Sequence, residues 1–335
     1  EFLFGYVMAM LGGFVLTAIP NWTGRLPIVG WSLAGLFALW CGGRIAIFMS
    51  AMLPMPLAAV IDLAFPIVLG CVVLREIVAG KNWRNLIILA LLTAFTLANV
   101  LFHVQAHQTG FAAQGYSLRF GLATVLMMIA VVGGRIIPSF TRNWLARNDN
   151  AARPAPPMQT YDKITVLVSV AILAVWVAYP NDPATGGLLG LFGVLHLVRL
   201  ARWQGHHTLS DPLVWVLHGA YALIPLGGFM MATDNLFGVT GSAAAQHIWM
   251  AGAIGAMTLA VMTRATLGHT GQSLVANKAT LALYLCLFGS VAARVLSGAF
   301  PALITLSALL WIAAFGGFAL SYGPALLQSQ KEPKP

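Results

Sequence analysis

The dominant pattern along the chain is a series of long apolar runs separated by short polar segments. The runs are about 17–25 residues long, which is the length of helix that crosses a hydrocarbon core of about 30 Å. Eleven such spans are predicted, at 3–19, 30–50, 56–76, 85–103, 117–138, 163–180, 184–201, 212–232, 244–263, 278–298 and 301–324. The pattern therefore predicts an all-α fold, a polytopic transmembrane helical bundle forming one integral membrane domain over residues 1–335.

The composition supports a membrane protein and limits the kinds of partner that the chain is expected to bind. Hydrophobic residues make up 59% of the chain and charged residues only 8%, whereas soluble domains carry about a quarter charged residues. The formal net charge is +9, but the basic residues lie in short loops between spans, so we expect membrane lipid and no nucleic acid as a partner. The three cysteines lie inside apolar runs without paired spacing and predict no disulfide framework.

Basic residues mark alternate loops and predict the orientation of the spans. Positive loop residues favour the cytoplasmic side, so we place these loops and the C-terminus in the cytoplasm. The proline-containing segment 139–162 is interpreted as a flexible cytoplasmic connector between two groups of spans. The basic residues used are Arg25, Arg75, Lys81, Arg84, Arg142, Arg147, Arg153, Lys163, Arg199, Arg202, Arg264 and Lys278, with Lys331 and Lys334 in the tail.

Candidate chemistry is concentrated in the histidines. Four of the eight, His103, His218, His247 and His269, fall at or near the ends of apolar runs. An imidazole in or beside a bilayer is costly unless it binds a metal, a haem iron or a proton. The predicted orientation places His103 and His247 on the outer side with Glu1, and the other two on the inner side.

Several polar residues can be explained by a structural role as well as by metal binding. For His196 a hydrogen-bonded core histidine is favoured over a ligand, and for His218 a hydrogen bond to a backbone carbonyl remains an open alternative. Asp62 is expected to pair with Arg44, with a functional role equally open. The histidines interpreted as solvated loop residues are His107, His206 and His207.

The residue types favour some metals over others. The chain has no HExxH and no CxxC, so a zinc site is not indicated. Single histidines from separate helices that converge in a bundle fit haem or copper, and without a CxxCH motif a b-type haem is the compatible form.

Six motifs together resemble the NnrS family, membrane proteins of the bacterial nitric oxide response. They are GYVMAMLGGFVLTAIPNWTGR at 5–25, NVLFH at 99–103, GGRIIPSFTRN at 133–143, WVLHGAY at 215–221, GAMTLAVMTRATLGHTG at 255–271 and YGP at 322–324. The resemblance covers essentially the whole chain in order. It implies about twelve spans, b-type haem and copper, and a link to nitrosative stress and denitrification.

The resemblance also assigns residues. His103, His218, His247 and His269 match histidines of the family, and the matching basic positions are Arg25, Arg135, Arg142 and Arg264. Family members carry a His-x-His-Glu stretch before the LFGY-like segment, and Glu1 matches its glutamate. We therefore expect two histidines and a further span upstream of this sequence.

Two centres follow from these matches. The first, a metal centre, comprises Glu1, His103 and His247 with the upstream pair. The second, a cofactor site, comprises His218 and His269, with Arg135 and Arg264 for haem propionates. Which centre holds the haem stays open.

The resulting hypothesis is a haem and copper protein of the bacterial inner membrane that binds, senses or detoxifies nitric oxide. Any turnover would use electrons from a donor or respiratory-complex partner, because no flavin or nicotinamide motif is present. One alternative is a transporter for copper, haem or a nitrosyl-iron species. A second is an accessory subunit of a respiratory membrane complex.

Overall fold

The computed structural model describes residues 1–239 and 241–327. The chain is 81% helical and the described residues contain no strand, so the predicted all-α class is confirmed. Eleven helices in this described part are long and apolar enough to cross a membrane, which confirms the predicted number of spans. The chain divides into two compact units, Glu1–Met128 and Ile129–Pro335.

The helices are numbered here in chain order. Those of the first unit are α1 (Phe2–Thr23), α2 (Trp31–Phe48), α3 (Met55–Ala79) and α4 (Trp83–Thr109). Helix α5 (Tyr116–Arg147) begins in the first unit and ends in the second. Those of the second unit are α6 (Thr160–Ala178), α7 (Pro183–Arg202), α8 (Pro212–Phe237), α9 (Ala243–His269), α10 (Lys278–Leu296) and α11 (Leu303–Leu327).

Some helices extend past their predicted ends. Helix α4 continues to Thr109, so His107 is an exposed helical residue and not part of a loop as predicted. Helix α5 continues to Arg147, which makes residues 139–147 of the predicted connector helical and leaves 148–159 as the non-helical segment. The cytoplasmic position of this connector stays a prediction.

The core of the first unit is built around α3. Its buried residues recur at helical spacing, which gives one face that contacts α1, α2 and α4. Aromatic rings fill the adjacent space, where the Phe4 ring lies 5.4 Å from Phe95 and 5.3 Å from Phe102 between ring centroids. The buried apolar residues of α3 are Phe65, Leu69, Val73 and Ile77.

The core of the second unit is centred on α7, α8 and α9. Glycines let α7 and α8 approach closely, since a Cβ on Gly228 would lie 3.2 Å from the carbonyl oxygen of Leu189. Trp249 of α9 packs edge-on against Trp176 at 5.2 Å, and its indole Nε1 donates to the carbonyl of Ile224 at 2.9 Å. The hydrogen bond and the ring contact hold Trp249 in this core.

A buried ion pair joins four helices of the second unit. Arg199 of α7 donates from Nε to Asp162 of α6 at 2.6 Å, and neither side chain is more than 1% exposed. Its Nη1 also donates to the carbonyl of Ala130 on α5 at 2.7 Å and to the hydroxyl of Tyr221 on α8 at 3.0 Å. Gly134 leaves room for this guanidinium, because a Cβ there would overlap with it.

This pair corrects one sequence interpretation. We expected Arg199 to be a loop residue beside Arg202, but it is fully buried within α7. Asp162 has a second structural role, since its other oxygen accepts the backbone N–H of Gln159 at 3.0 Å and completes the N-terminal cap of α6. A charge can be buried here because its partner lies within hydrogen-bond distance.

Removing one partner of this ion pair should destabilise the second unit strongly. Arg199→Ala leaves the Asp162 carboxylate buried and unpaired, and we expect a loss of about 3–5 kcal/mol of unfolding free energy. Reversible unfolding in mixed micelles measures it. The matched control on the same helix is Arg202→Ala, whose partner Gln159 lies at an exposed site and which should cost less than about 1 kcal/mol. Equal losses in the two variants would contradict the prediction.

Candidate functional site

The first polar cluster is centred on Asp62, a buried carboxylate on α3. Its Oδ1 pairs with Nη2 of Arg44 from α2, as expected from the sequence. Its Oδ2 accepts Asn99 Nδ2 at 2.9 Å and lies 2.9 Å from His103 Nε2. Asn99 and His103 are one helical turn apart on α4, so both reach the same carboxylate.

This arrangement resembles the support of a metal-binding histidine. Ligating histidines generally donate one ring N–H to a carboxylate, carbonyl or water, which fixes the ring and leaves the other nitrogen for the metal. Since Nε2 of His103 is committed to Asp62, Nδ1 is the nitrogen that can bind an ion. Glu1 joins the same network through Arg44, whose Nη1 lies 2.5 Å from Glu1 Oε2. Glu1 and His103 are thus linked through Arg44 and Asp62.

His247 shows a related arrangement in the second unit. Its Nδ1 lies 2.6 Å from the carbonyl oxygen of Ala243, one turn earlier on α9, so Nε2 is left for a ligand. A π-helical segment, Ile248–Ile254, follows this histidine directly, and another, Phe2–Val7, follows Glu1. Such segments are frequent at functional sites. Convergence of Glu1, His103 and His247 on one metal stays a prediction.

The second candidate site surrounds His218 on α8. The ring is 8% exposed, and its Nε2 lies 2.7 Å from the hydroxyl oxygen of Thr141 on α5. Its other nitrogen, Nδ1, is buried and has no hydrogen-bond partner among the described residues. Gly205 packs against one face of the ring, since a Cβ on it would overlap with both Cγ and Nδ1. Nδ1 is therefore a closely surrounded nitrogen without a hydrogen-bond partner in the described residues.

His196 provides a contrast within the same unit. Its Nε2 lies 2.9 Å from the Ser169 hydroxyl and its Nδ1 lies 2.7 Å from the Tyr221 hydroxyl. All three residues are fully buried. The ring has a partner at both nitrogens, which agrees with the core histidine expected from the sequence.

The remaining predicted site residues lie in varied surroundings. His269 is the last residue of α9 and is exposed, whereas His218 is buried. The guanidinium of Arg264 lies 4.1 Å from the centroid of the Phe140 ring. Arg135 lies on α5 and its carbonyl accepts the hydroxyl of Ser139 at 2.7 Å. Joint binding of one cofactor by this set stays a prediction.

Arg264 also lines a small cavity of about 90 Å³ in the second unit. Asp211 faces the same cavity and caps α8, accepting the N–H of Leu213 at 2.9 Å. Partial burial raises the pKa of the Asp211 carboxyl, while this hydrogen bond and the Arg264 charge oppose the rise. The cavity is far too small for a haem.

The described polar side chains do not by themselves form a complete metal site. Among the residues that the structure describes, no group of three or more histidine, cysteine, aspartate or glutamate side chains is placed to hold an ion. His206 and His207 lie in a short 3₁₀ helix, Gly205–Thr208, and both are exposed, as expected. The candidate sites are therefore single histidines, each oriented by one neighbour.

Sequence reasoning missed three residues of these sites, namely Asn99, Thr141 and Gly205. Two of them lie in motifs that carry the family resemblance: Asn99 opens NVLFH and Thr141 lies in GGRIIPSFTRN. The four-residue spacing of Asn99 and His103 was the signal that could have linked them. No sequence signal near Gly205 predicts its role, because that role depends on its contact with the His218 ring of α8.

The comparisons with known proteins support one family. A family model described as NnrS protein matches residues 1–330, nearly the whole chain. No curated protein and no solved structure gives a match to the chain. Because the match covers far more than half of the sequence, the chain belongs to the NnrS family.

Proposed function

We propose that this membrane protein holds b-type haem and copper and uses them to bind, sense or detoxify nitric oxide. Family membership supports a role in the nitric oxide response. The observation that carries the proposal is that the buried Nδ1 of His218 has no hydrogen-bond partner among the residues that the structure describes. Leaving a buried polar atom without a partner costs about 1–3 kcal/mol, and a coordinate bond to a metal would remove that cost.

His218 offers one nitrogen, Nδ1, to a metal ion. A metal ion lies about 2.0–2.1 Å from an imidazole nitrogen, and because Nδ1 is buried, neighbouring atoms must move to admit one. A haem ring is much larger, so haem binding at Nδ1 requires a larger movement of the atoms around the ring.

The first centre would use His103 with the Asp62 carboxylate behind it. Glu1 shares that network, and His247 has its own carbonyl partner. A metal supplies an open coordination position at which nitric oxide can bind. Nitric oxide is small and apolar and reaches such a position through the bilayer, so no polar channel is needed.

The surrounding membrane and orientation belong to this proposal. Family membership supports a bacterial inner membrane location, and the alternating basic loops favour a cytoplasmic C-terminus. Lys331 and Lys334 lie outside the described residues. An electron donor or respiratory-complex partner would supply the reducing equivalents for any turnover.

Replacing His218 should remove one bound metal or haem. For His218→Ala we expect metal affinity to fall by more than about tenfold, since loss of a supporting neighbour alone costs about 10–100-fold. Metal analysis and optical spectra of purified protein, oxidised, reduced and treated with nitric oxide, measure it. His107→Ala, which changes an exposed histidine on α4, is the control and should match the wild type.

The same measurement on His247→Ala tests the other centre. Unchanged haem and copper content in both His218→Ala and His247→Ala would overturn the assignment. Colourless wild-type protein that moves copper or haem across vesicle membranes would instead identify the transporter. Haem found only after co-purification with a larger assembly would identify the accessory subunit.

Removing the charge of Asp62 should weaken the first centre. Asp62→Asn keeps the size of the side chain but reduces its ability to orient His103, and we expect copper affinity to fall about 10–100-fold. The control is Glu76→Gln on the same helix, which alters another buried carboxylate that pairs with Arg25 and Arg75. Equal copper affinities of the two variants and the wild type would exclude a metal at His103.

A further inference from the structure

We propose that Thr141 is a positioning residue that fixes which nitrogen of His218 carries a proton. Its hydroxyl oxygen lies 2.7 Å from His218 Nε2, and both residues are buried. The inference rests on the proposed function for the identity of the ligand that Nδ1 would bind. The placement of the proton itself follows from the hydrogen bonds.

The first step concerns the single hydroxyl proton of Thr141. The same oxygen lies 2.9 Å from the carbonyl oxygen of Ile137, one turn earlier on α5. A carbonyl can only accept, so the hydroxyl must donate its proton there if that bond forms. The Thr141 oxygen is then an acceptor toward His218, and Nε2 must carry the proton.

The second step compares the two neutral forms of the ring. With the proton on Nε2, both hydrogen bonds form, from His218 to Thr141 and from Thr141 to Ile137. With the proton on Nδ1, Thr141 must choose between His218 and Ile137, and the buried Nδ1–H has no acceptor in the described residues. One hydrogen bond is lost and a donor is left unpaired, which together disfavour this form by about 1–3 kcal/mol.

His196 and Ser169 show the same arrangement and give an internal comparison. The Ser169 hydroxyl donates to the carbonyl of Thr165 at 2.6 Å and therefore accepts from His196 Nε2. Tyr221 then donates to the remaining nitrogen of that ring at 2.7 Å. The two rings hold their protons in the same way, but only His218 has no protein partner at Nδ1.

Rigidity strengthens this role of Thr141. A β-branched side chain on a helix has few allowed rotamers, and the bond to the preceding turn selects one of them. The ring is therefore held with Nε2 on the Thr141 hydroxyl, which fixes the direction in which Nδ1 points. Thr141 thereby keeps the proton on Nε2 and leaves the lone pair of Nδ1 unprotonated.

Nitrogen-15 NMR of the metal-free full chain in lipid bilayers tests the proton position directly. The His218 signals are identified by their absence in His218→Gln. In the wild type we expect protonated Nε2 and unprotonated Nδ1. In Thr141→Val the preference should be lost, with a substantial Nδ1–H population, whereas Thr141→Ser should resemble the wild type. Protonated Nδ1 in the wild type, or unchanged proton positions in Thr141→Val, would overturn the inference.

Cu(I) titration of the same variants links the proton position to binding. We expect Thr141→Val to bind Cu(I) about 10–100-fold more weakly at the His218 site, while Thr141→Ser and the control Ser169→Ala bind as the wild type does. If the NMR result is as expected but no Cu(I) or haemin binds at His218, the proposed function fails and the role of Thr141 in the proton position stands. If Cu(I) binds at His218 and the NMR result is reversed, the positioning inference alone fails.

Discussion

The second unit depends on the buried pair formed by Arg199 and Asp162. In a low-dielectric interior each charge alone would be too costly to bury, so the two must stay together. Arg199 satisfies three acceptors at once, Asp162, the carbonyl of Ala130 and the hydroxyl of Tyr221. Three further helices, α5, α6 and α8, are thereby positioned relative to α7. Because Tyr221 is also the partner of His196, the same network determines the hydrogen bonding of that histidine.

The His218 ring differs from the other buried polar groups of the second unit in its hydrogen bonding. Most buried polar side chains of the second unit are hydrogen-bonded to other protein groups. His196 is the clearest case, because both of its ring nitrogens have a partner. In the described part of the chain, Nδ1 of His218 is the only buried imidazole nitrogen without a partner. Both nitrogens of His196 are paired, whereas burying Nδ1 of His218 without a partner costs free energy.

The sequence predicted the parts of the fold that depend on local composition. Span number and span length follow from apolar run length alone, because one helix must cross the whole hydrocarbon core. Pairings between distant residues, such as Asp62 with His103 and Arg199 with Asp162, depend on which helix faces meet. Arg199 was assigned to a loop because a cation at the end of an apolar run looks interfacial until its anion, 37 residues away, is located.

Thr141 illustrates the same limit at the site. Threonine is common in membrane helices, where its hydroxyl bonds to the preceding turn, so its type and position carry no functional signal. Only its 2.7 Å approach to a ring on α8 gives it a role. The family motif marked the right segment, but the motif could not state which of its eleven residues faces a histidine.

The three candidate histidines differ in the group that is hydrogen-bonded to the ring, and therefore in the charge beside it. His103 has a carboxylate behind it, while His218 has a neutral hydroxyl and His247 a backbone carbonyl. A carboxylate partner adds a negative charge beside the imidazole, whereas a hydroxyl or carbonyl partner adds none. The Asp62 charge is shared with Arg44, so the environment of His103 contains charges of both signs, whereas the partner of His218 at Nε2 is a neutral hydroxyl.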